Sequence, residues 1–150
     1  MKLSTAQIGK CGELLVQYKL LLCGIESAHL TTDTGIDLVA YSKKKKEPIT
    51  IQVKSNLAPK PGGGKGKLAL DWWVPEDSPA DIQALVDLST NKVWLIETKE
   101  MAELAQQNSK GKLHLYMYVD PTVTVKKSEQ SKFIYEFEKY LFENNLHCFL

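Results

Sequence analysis

Two short apolar runs separated by a lysine-rich stretch constrain the fold of this chain more than any other feature. The runs cover residues 36–41 and 49–54, and four consecutive lysines lie between them. Runs of this length that are rich in β-branched residues and bounded by turn formers are typical of a β-hairpin. We place the centre of the turn near residues 45–46, so that Asp37 lies roughly opposite Lys54.

The hairpin divides its side chains between two faces. Cross-strand neighbours share a face of a sheet, and so do residues two positions apart on one strand. Asp37, Gln52 and Lys54 are therefore predicted to lie on the same face. The opposite face is wholly apolar and is predicted to belong to the core: Ile36, Leu38, Ala40, Ile49, Ile51 and Val53.

The segment before the hairpin has the pattern of a long helix. Ser4 followed three residues later by Gln7 is typical of a capping box, and Gly24 is a helix terminator. We therefore predict a helix over residues 5–23. Its core-facing stripe is predicted to be Ile8, Cys11, Leu15 and Leu22.

The rest of the chain predicts an alternation of helices and strands. Their order implies a mixed sheet flanked by helices, within a single domain of 150 residues. Strands are predicted over residues 25–30, 68–74, 93–96 and 113–119, helices over 82–88, 99–107 and 131–145, a turn over 31–35, and a mobile glycine-rich loop over 56–67.

Neither the hydropathy nor the cysteine pattern points outside the cytoplasm. No apolar run approaches the ~18 residues that a membrane span requires, and no signal peptide is visible. The three cysteines, Cys11, Cys23 and Cys148, form no CxxC pair. We expect reduced, buried thiols rather than a zinc site, in a cytoplasmic protein with no membrane partner.

Charge is distributed unevenly along the chain. All nineteen basic residues are lysine and the formal net charge is only +1, which is less basic than a typical nucleic-acid-binding domain. Residues 43–67 nevertheless contain eight lysines and one acid, whereas residues 71–103 contain eight acids and two lysines. One surface is therefore predicted to be positive, and any reading of DNA bases must use side chains other than arginine.

The predicted face that carries Asp37, Gln52 and Lys54 combines an acid, an amide and a cation. Mg²⁺ prefers hard oxygen ligands, which Asp37, the Gln52 side-chain carbonyl and the Val53 backbone carbonyl would supply. Lys54 would then hold an attacking water in line and stabilise the negative charge that develops on phosphorus.

The stretch Gly35-Ile36-Asp37, followed by Ile51-Gln52-Val53-Lys54-Ser55, resembles the PD-(D/E)XK nuclease superfamily. The likeness is strongest to the branch that has glutamine in place of the usual acid and includes an intron-encoded homing endonuclease. It implies a restriction-endonuclease-like α/β core with the order αβββαβ over residues 5–98. Residues 99–150 match nothing in this family and are predicted to extend the core with a strand and a helix, for oligomerisation or DNA contact. The likeness also implies double-stranded DNA as the substrate and Mg²⁺, replaceable by Mn²⁺, as the cofactor.

An acidic residue on the first helix often joins the site in this superfamily, and Glu13 matches that position. Gly9 and Gly12 on the same helix would permit its close approach to the sheet. The resemblance therefore implies a catalytic set of Glu13, Asp37, Gln52 and Lys54, with Glu13, Asp37, Gln52 and Val53 around the metal. Two features depart from the pattern. No proline precedes Asp37, and Gln52 removes one negative charge, which would weaken metal binding, favour one metal over two, or mark an inactive copy.

DNA contact is expected from residues at the hairpin tip and beyond Lys54: Lys43, Lys44, Lys45, Lys46, Ser55, Asn56, Lys60, Lys65 and Lys67. A solvated tip explains the first four lysines at least as well.

Three of the four site residues also have an ordinary structural explanation. Asp37 would cap a turn, Lys54 would be a solvated strand-end lysine, and Glu13 would pair along its helix with Lys10 or Gln17. Only their joint geometry favours a site. The adjacent Trp72 and Trp73 are interpreted as core and edge packing rather than as base-stacking platforms.

These features together predict sequence-specific double-strand cleavage of DNA, of the homing or restriction type. A Holliday-junction or repair nuclease is the second choice within the class. A nuclease fold that only binds DNA, and a protein-interaction domain, remain alternatives from other classes.

One such site cuts one strand, so a dimer or tetramer is expected. The predicted last helix is apolar around much of its girth, which favours oligomerisation through it. Its apolar residues and those that follow it are Phe133, Phe137, Tyr140, Leu141, Phe142, Leu146 and Phe149.

Overall fold

The computed structural model describes residues 1–32 and 34–150, which form two β-sheets and a long N-terminal helix. The predicted turn over residues 31–35 contains Asp33, which lies outside the described residues. The helices are α1 (Thr5–Leu22) and α2 (Met101–Leu104). The strands are β1 (Glu26–His29), β2 (Leu38–Tyr41), β3 (Ile49–Asn56), β4 (Lys60–Pro61), β5 (Leu68–Pro75), β6 (Ile82–Asp87), β7 (Lys92–Glu97), β8 (Gln107–Ser109) and β9 (Lys112–Tyr118).

The first sheet has five strands in the order β1-β2-β3-β6-β7, and it is mixed because β3 and β6 run parallel. The second sheet has four antiparallel strands in the order β4-β5-β9-β8. One apolar core lies between α1 and the first sheet, and a second lies between the two sheets. The predicted α/β class with a mixed sheet is confirmed, and so are the predicted strands that became β1, β5, β7 and β9.

Helix α1 begins and ends as predicted but turns a different face to the core. Its capping box is formed. The Ser4 hydroxyl accepts a hydrogen bond from the backbone N–H of Gln7 at 3.2 Å, and the side-chain carbonyl of Gln7 accepts one from the backbone N–H of Ser4 at 2.8 Å. The buried residues are Gly12, Val16 and Leu20. The predicted stripe was wrong because the helix packs through these residues, four positions apart, which leaves Ile8 and Leu15 partly buried at the edge and Cys11 and Leu22 exposed.

The hairpin of β2 and β3 forms with a register two residues away from the predicted one. Leu38 pairs with Ile51 and Ala40 with Ile49. Asp37, just before β2, donates its N–H to the Ile51 carbonyl and so lies beside Ile51 rather than opposite Lys54. Gln52 and Lys54 lie two residues apart on β3, so their assignment to one face does not depend on the register.

Residues 82–88, predicted as a helix, instead form β6. All six residues of this strand are buried, and it pairs with β3 on one side and β7 on the other. Its apolar residues point to both faces of the sheet, Ile82, Ala84 and Val86 to one core and Leu85 to the other. Periodicity does not distinguish such a pattern from a buried helix. The predicted order αβββαβ was therefore wrong at its second helix, which is replaced by strand β6.

The glycine-rich segment over residues 56–67, predicted as a loop, is partly strand. It contains the end of β3, all of β4 and a 3₁₀ turn over Gly62–Gly64. Together with β5 it forms the hairpin that connects the two parallel strands of the first sheet.

The C-terminal segment is not the predicted helix but a series of 3₁₀ turns: Ile134–Tyr140, Phe142–Asn144 and Leu146–Cys148. Phe137 and Tyr140 enter the core between the sheets, whereas Phe142 and Phe149 enter the core beneath α1. A straight helix does not reach two separate cores, so the chain bends between them. These four rings are covered by their own chain and give no support to oligomerisation through this segment.

The helix predicted over residues 99–107 is likewise shortened to the four residues of α2, because the chain enters β8 at Gln107.

The prediction that all three thiols are buried was wrong for two of them. Cys11 and Cys23 are exposed on α1 or at its end, and Cys148 is buried. Burial raises the pKa of the Cys148 thiol to about 11. Within residues 1–32 and 34–150, no helix has the length and apolarity needed to cross a membrane.

Candidate active site

Asp37 lies where β2 parts from β3. Its N–H donates to the Ile51 carbonyl at 2.8 Å, and its own carbonyl accepts from the Leu30 N–H at 3.1 Å. The Val53 N–H donates to the carboxylate oxygen Oδ2 of Asp37 at 2.7 Å. The carboxylate is therefore held directly beside the backbone of β3.

Gly35 enables this entry into β2. Its φ is +86°, a conformation that side chains disfavour, and a Cβ atom there would lie 3.1 Å from Cδ of Pro79. The glycine two residues before Asp37 is thus required by both the backbone angle and the space. This explains why a glycine precedes Ile36 and Asp37 in the sequence.

The Val53 carbonyl faces the same side of β3 as the Asp37 carboxylate. The N–H and C=O groups of one strand residue point to the same side of the strand, and the Val53 N–H is bound to Asp37. The Asp37 carboxylate and the Val53 carbonyl oxygen therefore lie on the same side of β3, where β2 ends.

Gln52 is held by a chain of buried and partly buried polar groups that the sequence did not predict. Its side chain is 5% exposed, and its Oε1 accepts from the Ser78 hydroxyl at 3.1 Å. The Ser78 oxygen accepts from Nε2 of Gln83 at 2.8 Å, and the same nitrogen donates to Thr98 at 3.0 Å. Gln83 lies beside Gln52 in the parallel pairing of β3 and β6, so it could have been found only by recognising β6 as a strand.

Lys54 follows Gln52 on the same face of β3. It lies beside Leu85 in the register with β6 and is partly exposed. A lysine in this position extends from a buried strand towards solvent. It is thus placed on β3 at a partly exposed position, on the same face as Gln52.

Glu13 joins this corner of the molecule from α1. Its carboxylate lies 2.5 Å from Nζ of Lys10 and 3.2 Å from Nδ1 of His29. The other ring nitrogen of His29 lies 2.9 Å from Oε1 of Gln17. His29 pairs in register with Leu38, the residue after Asp37, so Glu13 and Asp37 approach the same end of the sheet. His29 was missed because its sequence position gave no sign of a partner on α1.

The contact between Gly12 and β3 fixes how α1 approaches the site. A Cβ atom at Gly12 would overlap the Ser55 hydroxyl and lie 2.9 Å from Cβ of Ser55, whereas one at Gly9 would meet nothing within 4 Å. The predicted close approach is therefore made by Gly12, and Gly9 has no part in it.

Ser55 and Asn56 do not fit the predicted DNA contacts. The Ser55 hydroxyl oxygen is buried against α1. Asn56 is 7% exposed, and its Nδ2 donates to the Asp71 carbonyl at 2.7 Å. Because the Ser55 hydroxyl is buried and the Asn56 amide is bound inside the protein, neither is available to a nucleic acid.

The predicted DNA-contacting lysines fall into two groups. Lys45 is partly buried and donates to the Cys148 carbonyl, so it fastens the hairpin tip to the C-terminal segment. The others are exposed: Lys43, Lys44 and Lys46 at the hairpin tip, and Lys60, Lys65 and Lys67 around the β4–β5 turn. Trp72 is buried between the sheets as predicted, whereas Trp73 is 41% exposed.

The oxygen donors at this corner fit a magnesium ion. Within residues 1–32 and 34–150, no three His, Cys, Asp or Glu side chains form a metal-binding group. Mg²⁺ usually takes only one or two carboxylates from the protein and completes its shell with water and substrate phosphate. The Asp37 carboxylate and the Val53 carbonyl therefore form a suitable partial set, with Glu13 approaching from α1. Gln52 fits less well, because Ser78 already donates to its carbonyl oxygen.

The geometry defines an α/β protein in which a helix packs on a mixed sheet, with an acid, an amide and a lysine at one corner of that sheet. This fold is similar to a solved structure described as that of a bacterial homing endonuclease, I-Ssp6803I. The TM-score is 0.62 at 13% sequence identity, and the alignment covers 97% of this chain and 90% of the other. No protein-family model matches the sequence, and no curated protein matches it significantly. The likeness therefore establishes the fold.

Proposed function

We propose that this chain is a metal-dependent DNA endonuclease of the PD-(D/E)XK superfamily, with Glu13, Asp37, Gln52 and Lys54 in its active site. The observation that carries the proposal is the Asp37 carboxylate held on the Val53 N–H at 2.7 Å, with Lys54 next along the same strand. Such a convergence of hard oxygens and a cation suits phosphodiester hydrolysis. The fold shared with a structure described as a homing endonuclease supports it.

Each residue has a role that follows from its place in the site. Asp37, the Val53 carbonyl and Glu13 would hold Mg²⁺, or Mn²⁺ in its place, and Gln52 would act as a further ligand. The bound ion would lower the pKa of a water and offset charge on the scissile phosphate. Lys54 would place its ammonium group beside that phosphate and stabilise the charge that develops as the water oxygen attacks phosphorus and the ester oxygen departs.

Gln52 is preorganised rather than free to adapt. The Ser78 hydroxyl donates to its carbonyl oxygen, and Gln83 and Thr98 fix Ser78 in turn. An amide oxygen has two lone pairs, so Gln52 would keep one for the metal. Outer partners of this kind commonly tune metal affinity 10–100-fold.

The substrate proposed is double-stranded DNA, cut at a specific sequence. The exposed lysines at the hairpin tip and around the β4–β5 turn would contact phosphates. Lys54 sits on the strand that connects these two groups. A charge-based contact of this kind positions the protein on the duplex and leaves sequence reading to other side chains.

One observation favours a second candidate, a nuclease fold that binds DNA without cutting it. Gln52 supplies no negative charge, and its carbonyl oxygen already accepts a hydrogen bond from Ser78. A site with fewer charged ligands binds Mg²⁺ more weakly.

Cleavage in the presence and absence of metal separates the two candidates. Supercoiled plasmid and long genomic DNA are incubated with the protein and Mg²⁺, Mn²⁺ or EDTA. The nuclease proposal expects nicking or cutting with either metal and none in EDTA. DNA binding that survives in EDTA, without nicking at any Mg²⁺ or Mn²⁺ concentration on either substrate, would favour the binding-only protein.

A further inference from the structure

The outer face of the second sheet carries a continuous row of aromatic rings. Successive ring centroids lie 4.1, 5.7, 5.2, 6.0 and 5.3 Å apart. We call this row the aromatic face. Its members, in spatial order, are Trp73, His114, Tyr116, Tyr118, Phe133 and Tyr135.

These rings are not needed for the core. On β5 and β9 the alternate residues, including Trp72 and Leu115, fill the space between the sheets, so the aromatic face points outward. Trp73 is 41% and Tyr135 54% exposed, and the rings between them are partly buried against each other. Outward strand positions are ordinarily polar in a sheet with one solvated face, so an aromatic row here calls for an explanation.

Lysines and a concavity accompany the rings. A cavity of about 330 Å³ lies over the face, with Lys60 and the start of the glycine turn on one wall and His114, Tyr116 and Tyr118 on its floor. Nζ of Lys67 lies 5.6 Å from the centroid of the Tyr118 ring. The positive charges thus stand at the rim of an aromatic surface.

The one carboxylate in this cavity is already engaged. Asp71 accepts from Nε2 of His114 at 2.9 Å, and the other ring nitrogen of His114 lies 3.1 Å from Oε1 of Gln107. Because both ring nitrogens have polar partners, the orientation of the His114 ring is fixed. The ring stacks on that of Trp73 with 3° between the ring planes. Asp71 therefore does not present an isolated negative charge to a ligand.

We propose that the aromatic face binds unpaired bases of single-stranded DNA. Aromatic side chains beside lysines accept the flat faces of bases while the lysines contact the phosphates. Bases inside a duplex stack on one another and offer no free face to a sheet, so an unpaired segment is the form that fits. The inference rests on the proposed function only in taking DNA as the substrate.

A hydrogen bond links the second sheet to β3, the strand that carries part of the candidate active site. Asn56, two residues after Lys54, donates to the Asp71 backbone carbonyl at 2.7 Å. The second sheet is thereby anchored to β3 close to the site. An unpaired strand on the aromatic face would accordingly extend from DNA engaged at the site.

The test measures binding in EDTA, where cleavage does not interfere. A fluorescein-labelled oligo(dT) of roughly 16 nucleotides and a duplex of the same length are titrated by anisotropy. The variants are Tyr118→Leu and Trp73→Leu, and the control is Tyr41→Leu, an exposed tyrosine on β2. Loss of one stacked base is expected to weaken oligo(dT) binding by roughly fivefold or more. The control and the duplex affinities are expected to stay within about twofold.

A second readout requires no variant. Trp72 and Trp94 are 2% and 1% exposed, so quenching of tryptophan fluorescence by oligo(dT) would report on Trp73. Oligo(dT) affinity unchanged in both variants, or no quenching at saturation, would overturn the proposal. So would a drop in the light-scattering mass of the variants with unchanged oligo(dT) binding, because the face would then join two copies. Metal-dependent cleavage by the wild-type protein is scored separately, so its presence or absence tests the nuclease proposal alone.

Discussion

Asp37 performs two tasks that one substitution can separate. Its Oδ2 accepts the Val53 N–H, which is a structural role, and its negative charge is assigned to the metal. Asp37→Asn keeps an oxygen acceptor and removes the charge. We expect cleavage to fall roughly 100-fold or more, since even outer partners of a metal site commonly cost 10–100-fold. The free energy of unfolding should fall by about 1 kcal/mol, the difference between charged and neutral hydrogen bonds.

Nicking rates and urea denaturation measure both effects. The matched control is Asp120→Asn, since Asp120 also accepts a backbone N–H, that of Thr122 at 2.9 Å, but is fully exposed. A rate for Asp37→Asn equal to that of the control would remove Asp37 from the mechanism.

At the scale of residues, the sequence predicted what depends on strand alternation. Gln52 and Lys54 lie two residues apart on one strand, so they share a face whatever the register of the hairpin. Ser78, Gln83 and His29 depend instead on which strands become neighbours. That information is long-range, and no local pattern contains it.

At the scale of elements, the contact between α1 and β3 depends on one glycine. In Gly12→Ala the new methyl would overlap the Ser55 side chain, whereas Gly9→Ala would meet nothing within 4 Å. We expect Gly12→Ala to lower the free energy of unfolding by about 1–3 kcal/mol through overpacking. Gly9→Ala should raise it by roughly 0.5–1 kcal/mol through helix propensity. Urea denaturation of the two variants measures the change in the free energy of unfolding. Two changes of the same sign would show that Gly12 and Gly9 do not differ in their contact with β3.

The elements that sequence reasoning assigned wrongly share a physical cause. Strand β6 is buried on both faces, so its apolar run lacks the period that separates strand from helix. The C-terminal segment contains apolar residues that serve two cores, and their spacing imitates a helix that is apolar all round. The elements bounded by a cap or by clear alternation, such as α1 and β3, were predicted well.

At the scale of the whole molecule, the exposed apolar side chains concentrate on α1. Leu14, Tyr18, Leu21 and Leu22 are 51–70% exposed and follow helical spacing. We propose this stripe, rather than the C-terminal segment, as the surface through which two copies associate, because a stripe of this kind is typical of an interface. Two sites, one for each strand, would then act on one duplex.

Leu21→Glu is expected to reduce the light-scattering mass to that of one chain. It should also convert double-strand cuts into nicks, because the active site itself is unchanged. The control Leu150→Glu places the same charge at another exposed leucine and should leave the mass unaltered. A wild-type mass that equals one chain at every concentration would reject the association.

The cleavage rate of Lys54→Gln, compared with that of Lys127→Gln, tests most directly whether the candidate active site cuts DNA. Both variants lose one positive charge, and Lys127 is an exposed lysine far along the chain from the hairpin. We predict metal-dependent cutting by the wild-type protein and by Lys127→Gln. In Lys54→Gln we predict that the cleavage rate falls by about 100-fold or more, with unfolding by urea unchanged. Cutting by Lys54→Gln at the rate of Lys127→Gln would place the active site elsewhere in the molecule.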